Sequence, residues 1–194
     1  HLWSTYGGAE VLERCYPAMI RWMEFGLASA RSGRHPSRSD RPAGAHEEYL
    51  WDTGFHWGEW HEPGFDALDM SYWEQDRGPV ATAYLHRSAT ITAAVARLLG
   101  DDTAADRFEQ VASATLEAWR LEYIGPDGRL VPDTQANHVR ALAFGLVPES
   151  LRAPTAQRLV DLVRAAGTHL TTGFLSTPDL LPVLADTGHL DVAY

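Results

Sequence analysis

The chain has 194 residues, 45% hydrophobic and 22% charged, a balance that fits one ordinary folded domain with a buried core and excludes a disordered tail. Its formal charge of −10 repels a phosphate backbone, so no nucleic-acid partner is expected, and no run of about 18 uncharged apolar residues suggests a membrane span. All 16 basic residues are arginine, which excludes a Schiff-base lysine, a pyridoxal attachment point and the lysine of a phosphate-binding loop.

In chain order, the first element is a helix over 9–30. Val11, Leu12, Cys15, Met19, Trp22, Met23 and Leu27 recur at three- and four-residue spacing. Pro17 should kink it or start a new turn. Cys15, the single cysteine, excludes an intrachain disulfide, and its place in the apolar pattern predicts a buried thiol. Residues 31–45 turn to Arg, Ser, Pro, Gly and His and read as a flexible loop. Residues 49–73 carry aromatics, glycines and acids without a period. They read as an ordered irregular loop with a short strand near Phe55.

Pro79 suits the first turn of the next helix, which should run to about Leu99 and stop at Gly100. Asp101-Asp102-Thr103 provides an N-cap for a helix carrying Phe108, Val111, Leu116, Trp119 and Tyr123. Pro126-Asp127-Gly128 is a turn. Helices are expected over about 134–145, 155–166 and 178–186, with Gly167 and Gly188 as stops. The result is an all-α chain of consecutive αα-hairpins, without the residue-level period of a repeat array. The opening at His1 and the closing run 188–194, which reads as a helix beginning, mark both ends as cut from a longer chain.

Chemistry concentrates in Trp51-Asp52-Thr53-Gly54-Phe55-His56-Trp57-Gly58-Glu59-Trp60-His61-Glu62-Pro63. Three of the seven tryptophans fall there, interleaved with carboxylates and glycines. An indole face packs on the C–H face of a pyranose, while carboxylates and imidazoles bind its hydroxyls, so the segment reads as a sugar site. The competing reading is that the tryptophans plug a gap between helices. His56-x-x-Glu59-x-His61 matches no zinc spacing, and neither a metal nor a cofactor is expected. Asp52, Glu59 and Glu62 are candidate acids, but a glycosidase needs two carboxyls flanking the scissile bond, a separation that sequence does not measure. A second dense segment, Gly167-Thr168-His169-Leu170-Thr171-Thr172-Gly173-Phe174-Leu175-Ser176-Thr177-Pro178, offers Thr177 as a helix N-cap. His169 is there either as a buried structural imidazole or as a ligand contact. His138, on a helix, reads as structural.

The run from Trp51 to Trp60 is similar to the tryptophan-bearing loop of bacterial α-L-rhamnosidases, and the run from Gly167 to Leu175 resembles another stretch of that family. Asp133-Thr134-Gln135, the helix over 142–146, Tyr16-Pro17-Ala18-Met19 and the run from Leu181 to Gly188 extend the likeness over the whole chain. The resemblance implies an (α/α)6 barrel of six helical hairpins, of which this chain would form about half. It also implies inverting hydrolysis of terminal α-L-rhamnosides, with a rhamnose-containing glycoside as the partner. Gly58-Glu59-Trp60 matches a Gly-Asp-Trp context in the family, which makes Trp60 the first expected substrate contact, followed by Trp57, Glu59, Trp51, Asp52 and His169. The family's acid motif, ending in Gly-Trp-x-Gly-Asp, and its Trp-Glu-Arg-Trp-like base motif do not occur here. No catalytic residue is therefore assigned, and the chain alone is expected to be inactive. A trehalase- or glucoamylase-like glycosidase and a non-catalytic helical binding module are the alternatives. Helices lacking their barrel neighbours should expose apolar stripes.

Overall fold

The structure is a computed structural model that describes residues 2–66 and 68–194, the side chains of Leu2 and Ser4 excepted. His1 and Ala67, the latter inside the expected 49–73 loop, lie outside the described residues. Nine helices occur among the described residues: α1 Leu2–Tyr6, α2 Glu10–Arg31, α3 Met70–Trp73, α4 Gly78–Leu98, α5 Asp102–Tyr123, α6 Gln135–Ala143, α7 Glu149–Ala165, α8 Thr177–Asp186 and α9 Leu190–Ala193. The described residues form no strand. Extended pairing is confined to one bridge between Ile124 and Leu130, and the strand expected near Phe55 is absent. Glycines at positive φ on either side, Gly54 and Gly58, turn that backbone too sharply for a ladder.

The centre is the α4–α5 hairpin. Gly100, at φ 79°, ends the first helix, and the Asp101 carboxylate caps the second by accepting from Ala104 N at 3.0 Å. Alanines 81, 83, 89, 93 and 96 on α4 are all buried. Side chains this short let the neighbouring helices approach closely. On one side Met23, Leu27 and Ala30 of α2 meet Leu85, Ala89, Phe108 and Val111. On the other, Trp119 and Tyr123 pack with Val139, Leu142, Leu159, Val163, Leu180 and Leu184 of α6, α7 and α8. The Trp119 indole satisfies its buried donor on Pro79 O at 3.0 Å. Helix α6 is buried on every side from Gln135 to Leu142 and joins α4, α7 and α8.

Several local expectations change. Helix α2 continues through Pro17 as one helix; Pro17 and Glu13, whose carbonyl it leaves without a helical partner, are both exposed residues. Helix α7 starts at Glu149 rather than near 155, and absorbs Pro154 close to its exposed N-terminal end. Thr177 is the first residue of α8, not its cap. Its hydroxyl donates back to Gly173 O at 2.7 Å, and Ser176 takes the cap position without a side-chain capping bond.

Cys15 is exposed, against the buried thiol expected from its period. Helix α2 buries only Met23, Gly26, Leu27 and Ala30 in its C-terminal half. The apolar face of its N-terminal half, with Val11, Leu12 and Cys15, instead borders an open groove of about 850 Å³ shared with Trp3, Ile91 and Leu98. Periodicity identified an apolar face but not what would cover it. No helix of the described residues is long and apolar enough to cross a membrane.

Candidate functional site

The loop after Leu50 folds its rings into one patch. Trp57 and Trp60 lie 4.8 Å apart between ring centroids. Phe55 meets Trp57 edge-on at 5.0 Å and stacks on Trp73 at 5.5 Å. Phe65 packs edge-on against Tyr72 at 4.7 Å, and His61 sits 4.2 Å from Trp60. Phe55 and Trp57 remain 68% and 54% exposed, whereas Trp60 is half-buried. The patch rests on Arg77, whose guanidinium lies 3.9 Å from the Tyr72 ring centroid and donates to the Tyr72 carbonyl. Gly58, at φ 63°, lets the backbone pass over the Arg77 side chain, where a Cβ would collide.

Beneath the rings, Glu59 turns inward. Only 3% exposed, it pairs with Arg140 of α6, accepts from Ser176 N at 2.7 Å and from Ser176 Oγ at 2.9 Å. The next carbonyl, of Trp60, accepts from Phe174 N at 2.6 Å. At Gly173 an added Cβ would run into the carbonyl oxygens of Glu59 and Trp60. Glu59 also lines a cavity of about 120 Å³ with Glu62, Arg77, Asn137 and Arg140, and neither tryptophan contributes to that wall. Burial, followed by repulsion from Glu59, raises the Glu62 carboxyl above its ordinary range.

Asp52 is equally engaged. Its carboxylate pairs with Arg38, a residue only 3% exposed on a 3₁₀ turn at Pro36–Arg38. Arg38 also faces Asp76 at 3.4 Å, Glu47 at 3.6 Å and Glu122 at 3.6 Å. One buried cation thus pins residues 31–45 to the base of the aromatic loop. Chiefly through the hydrogen bond from Arg34, Glu47 is held down to about 2.

The residues expected at the site separate into groups. Trp57 and Trp60 share the exposed patch; Glu59 lies under it. Trp51 faces Trp22 at 5.8 Å, Phe25 at 6.0 Å and His56 at 5.1 Å, at the α2 side of the loop. Burial lowers the His56 pKa, and its Nε2 contacts Thr53 O at 3.0 Å. His169 is exposed, and its Nδ1 lies 3.2 Å from Ala166 O, so it is not the buried structural imidazole weighed from sequence. His138 is 2% exposed, with Nδ1 2.8 Å from Thr134 O and a pKa lowered by burial. Among the described residues no three His, Cys, Asp or Glu side chains are placed to hold a metal ion.

Arg140, Ser176 and Arg38 were not legible from sequence. The one signal was Arg140 itself, an arginine between Val139 and Ala141 on a helix with no exposed face. A charge so placed needs a partner, but nothing in the order of residues names Glu59, 81 positions away.

The model of the bacterial alpha-L-rhamnosidase 6 hairpin glycosidase domain matches residues 1–194. An alpha-L-rhamnosidase from Streptomyces avermitilis is 36% identical over 100% of this chain and 16% of its own length. One from an Alteromonas species is 29% identical over 99% of this chain and 20% of its own. The crystal structure of the Streptomyces avermitilis enzyme complexed with L-rhamnose superposes with a TM-score of 0.78 at 33% identity, over 97% of this chain and 16% of that one. The native Aspergillus terreus enzyme gives the same TM-score, 0.78, at 22% identity over 97% of this chain and 20% of its own, a likeness of fold. The chain thus spans a fifth or less of these relatives. With its helices in hairpins and a family model matching from end to end, the chain belongs to the bacterial alpha-L-rhamnosidase six-hairpin glycosidase domain family.

Proposed function

We propose that this chain is the part of an α-L-rhamnosidase that supplies an aromatic wall of the sugar pocket, within a protein that removes terminal α-L-rhamnose with inversion. The observation that carries the reading is the Trp57–Trp60 pair, 4.8 Å apart and presented by a loop whose Asp52 and Glu59 are buried. Indole faces take the apolar face of a pyranose, and the exposed His61, 4.2 Å from Trp60, carries ring nitrogens able to bond its hydroxyls. The general acid and base of an inverting hydrolase, about 6.5–9.5 Å apart across the bond, are assigned to parts of the protein outside residues 1–194. Glu59 and Asp52 enter this reading as supports of the loop, because Arg140 and Arg38 already occupy their carboxylates.

The test is Trp60→Ala in the full-length protein, assayed on an aryl α-L-rhamnoside, with an α-glucoside and trehalose as comparison substrates. Loss of one stacked indole should lower kcat/KM by roughly tenfold or more, mostly through KM. Release of β-L-rhamnose as the first product, followed by NMR, supports inversion. Unchanged kinetics in the variant, or preferred turnover of a glucoside, would refute the proposal.

A further inference from the structure

The Glu59–Arg140–Ser176 cluster joins three stretches of chain that are far apart in sequence. Glu59 precedes the tryptophan of the platform; Arg140 comes from the buried Gln135–Leu142 stretch of α6; Ser176 ends the threonine-rich segment. All three side chains are at least 97% buried, with exposures of 3%, 2% and 2% respectively. Each Glu59 oxygen is matched: Oε1 by Ser176 N, and Oε2 by Ser176 Oγ and the arginine. The arginine also reaches Ser176 Oγ at 3.3 Å, and that hydroxyl lies 3.2 Å from Ala136 O. One residue further on, the Trp60 carbonyl is held by Phe174 N at 2.6 Å, with Gly173 flush against the backbone on both sides of that peptide.

A buried ion pair gains little over well-packed apolar side chains, because removing both charges from water cancels most of their attraction. What this one secures is direction, since a bonded carboxylate accepts only a narrow set of geometries. We infer that Arg140 and Ser176 are positioning residues for sugar binding: through Glu59, and with Gly173 as the close-approach point, they set the angle at which Trp60 meets the pyranose. The inference rests on the proposed function of Trp60. It goes beyond that reading by extending the binding determinants to α6 and to the segment before α8, neither of which touches the sugar in this scheme.

The test is a double-mutant cycle in the full-length protein, reading L-rhamnose affinity by calorimetry alongside Tm. Arg140→Met should weaken binding about tenfold. Gly173→Ala, which pushes on the same peptide without touching a charge, should act in the same direction. Ser176→Ala, which keeps the backbone bond to Glu59, should weaken binding two- to threefold and serves if Arg140→Met does not fold. In a Trp60→Ala background, the same changes should weaken binding no further, by less than twofold, because the residue they position is gone. A role in stability alone would lower Tm equally in both backgrounds and leave the affinity of folded protein unchanged. If Trp60→Ala weakens binding while the other changes leave it intact, or add to it in full, the positioning role is overturned. Failure of Trp60→Ala itself to weaken binding overturns the platform reading instead.

Discussion

Arg38→Met removes the one cation that Asp52, Glu47, Asp76 and Glu122 share, and leaves a side chain of similar length to fill the space. At about 3.5 Å and an effective dielectric of about 20, each ion pair has a gross attraction of roughly 4–5 kcal/mol, most of it cancelled by desolvation of the guanidinium. Glu47 keeps Arg34 and Glu122 keeps Arg41, but Asp52 is left buried without its cation, and breaking a buried pair in this way costs about 3–5 kcal/mol. That is a large share of a typical domain's 5–15 kcal/mol, so at pH 7 urea unfolding should shift to a markedly lower midpoint. The effect should depend on pH in a definite sense. The folded pKa of Glu47 is depressed from its ordinary 4.5 to about 2, chiefly by Arg34, and this stabilisation is complete above 4.5 and lost as pH falls toward 2. Glu122 is lowered too: its burial acts upward, but the bonds from Arg41 and His46 prevail. Arg38 is one of the charges that lower Glu47 and Glu122, so without it both lose part of that depression and the variant loses less on acidification. The gap between variant and parent should therefore be widest near neutrality and narrow below about 4.5. A gap under about 1 kcal/mol at pH 7, or one that widens in acid, would refute the account of Arg38 as the anchor of residues 31–45.

Cys15→Ser should change stability by no more than about 0.5 kcal/mol, since the thiol is exposed. In the native chain the thiol should react readily with a soluble disulfide reagent, and reaction only after denaturation would restore the buried-thiol reading. Asp101→Ala removes both the α5 cap and the 2.9 Å bond from Tyr16, and should cost about 1–2 kcal/mol by thermal unfolding. Burial and then that bond push the Tyr16 phenol up to about 12, so its stabilising effect is complete below pH 10 and lost as pH rises through 12. In the Asp101→Ala chain, ultraviolet titration should find Tyr16 ionising closer to 10.

The helical skeleton was legible because its punctuation is local. Gly100 at φ 79° and the Asp101 cap mark the α4–α5 turn in two adjacent residues, and Gly167 and Gly188 end their helices in the same left-handed conformation. The aromatic loop was legible for a similar reason: tryptophans interleaved with acids and glycines stand out in the order of residues. Family likeness followed from two such segments, and the family model spans both. Pro17 and Pro154 both lie inside continuous helices at exposed positions, so a proline in the sequence did not by itself mark a helix end.

Tertiary structure alone decided which acids face inward. Asp52 and Glu59 alternate with tryptophans in a manner that reads as a row of ligand contacts, yet each turns to an arginine from elsewhere in the chain: Arg38 for Asp52, and Arg140, 81 positions away, for Glu59. It also left Cys15 beside an open groove and joined Gly173 to the Trp60 peptide. Composition and period are properties of neighbours along the chain, so they report helices, turns and the chemical character of a loop. A buried charge is settled by whichever opposite charge the fold delivers to it, because desolvation makes an unpaired one intolerable, and that partner has no fixed distance in sequence.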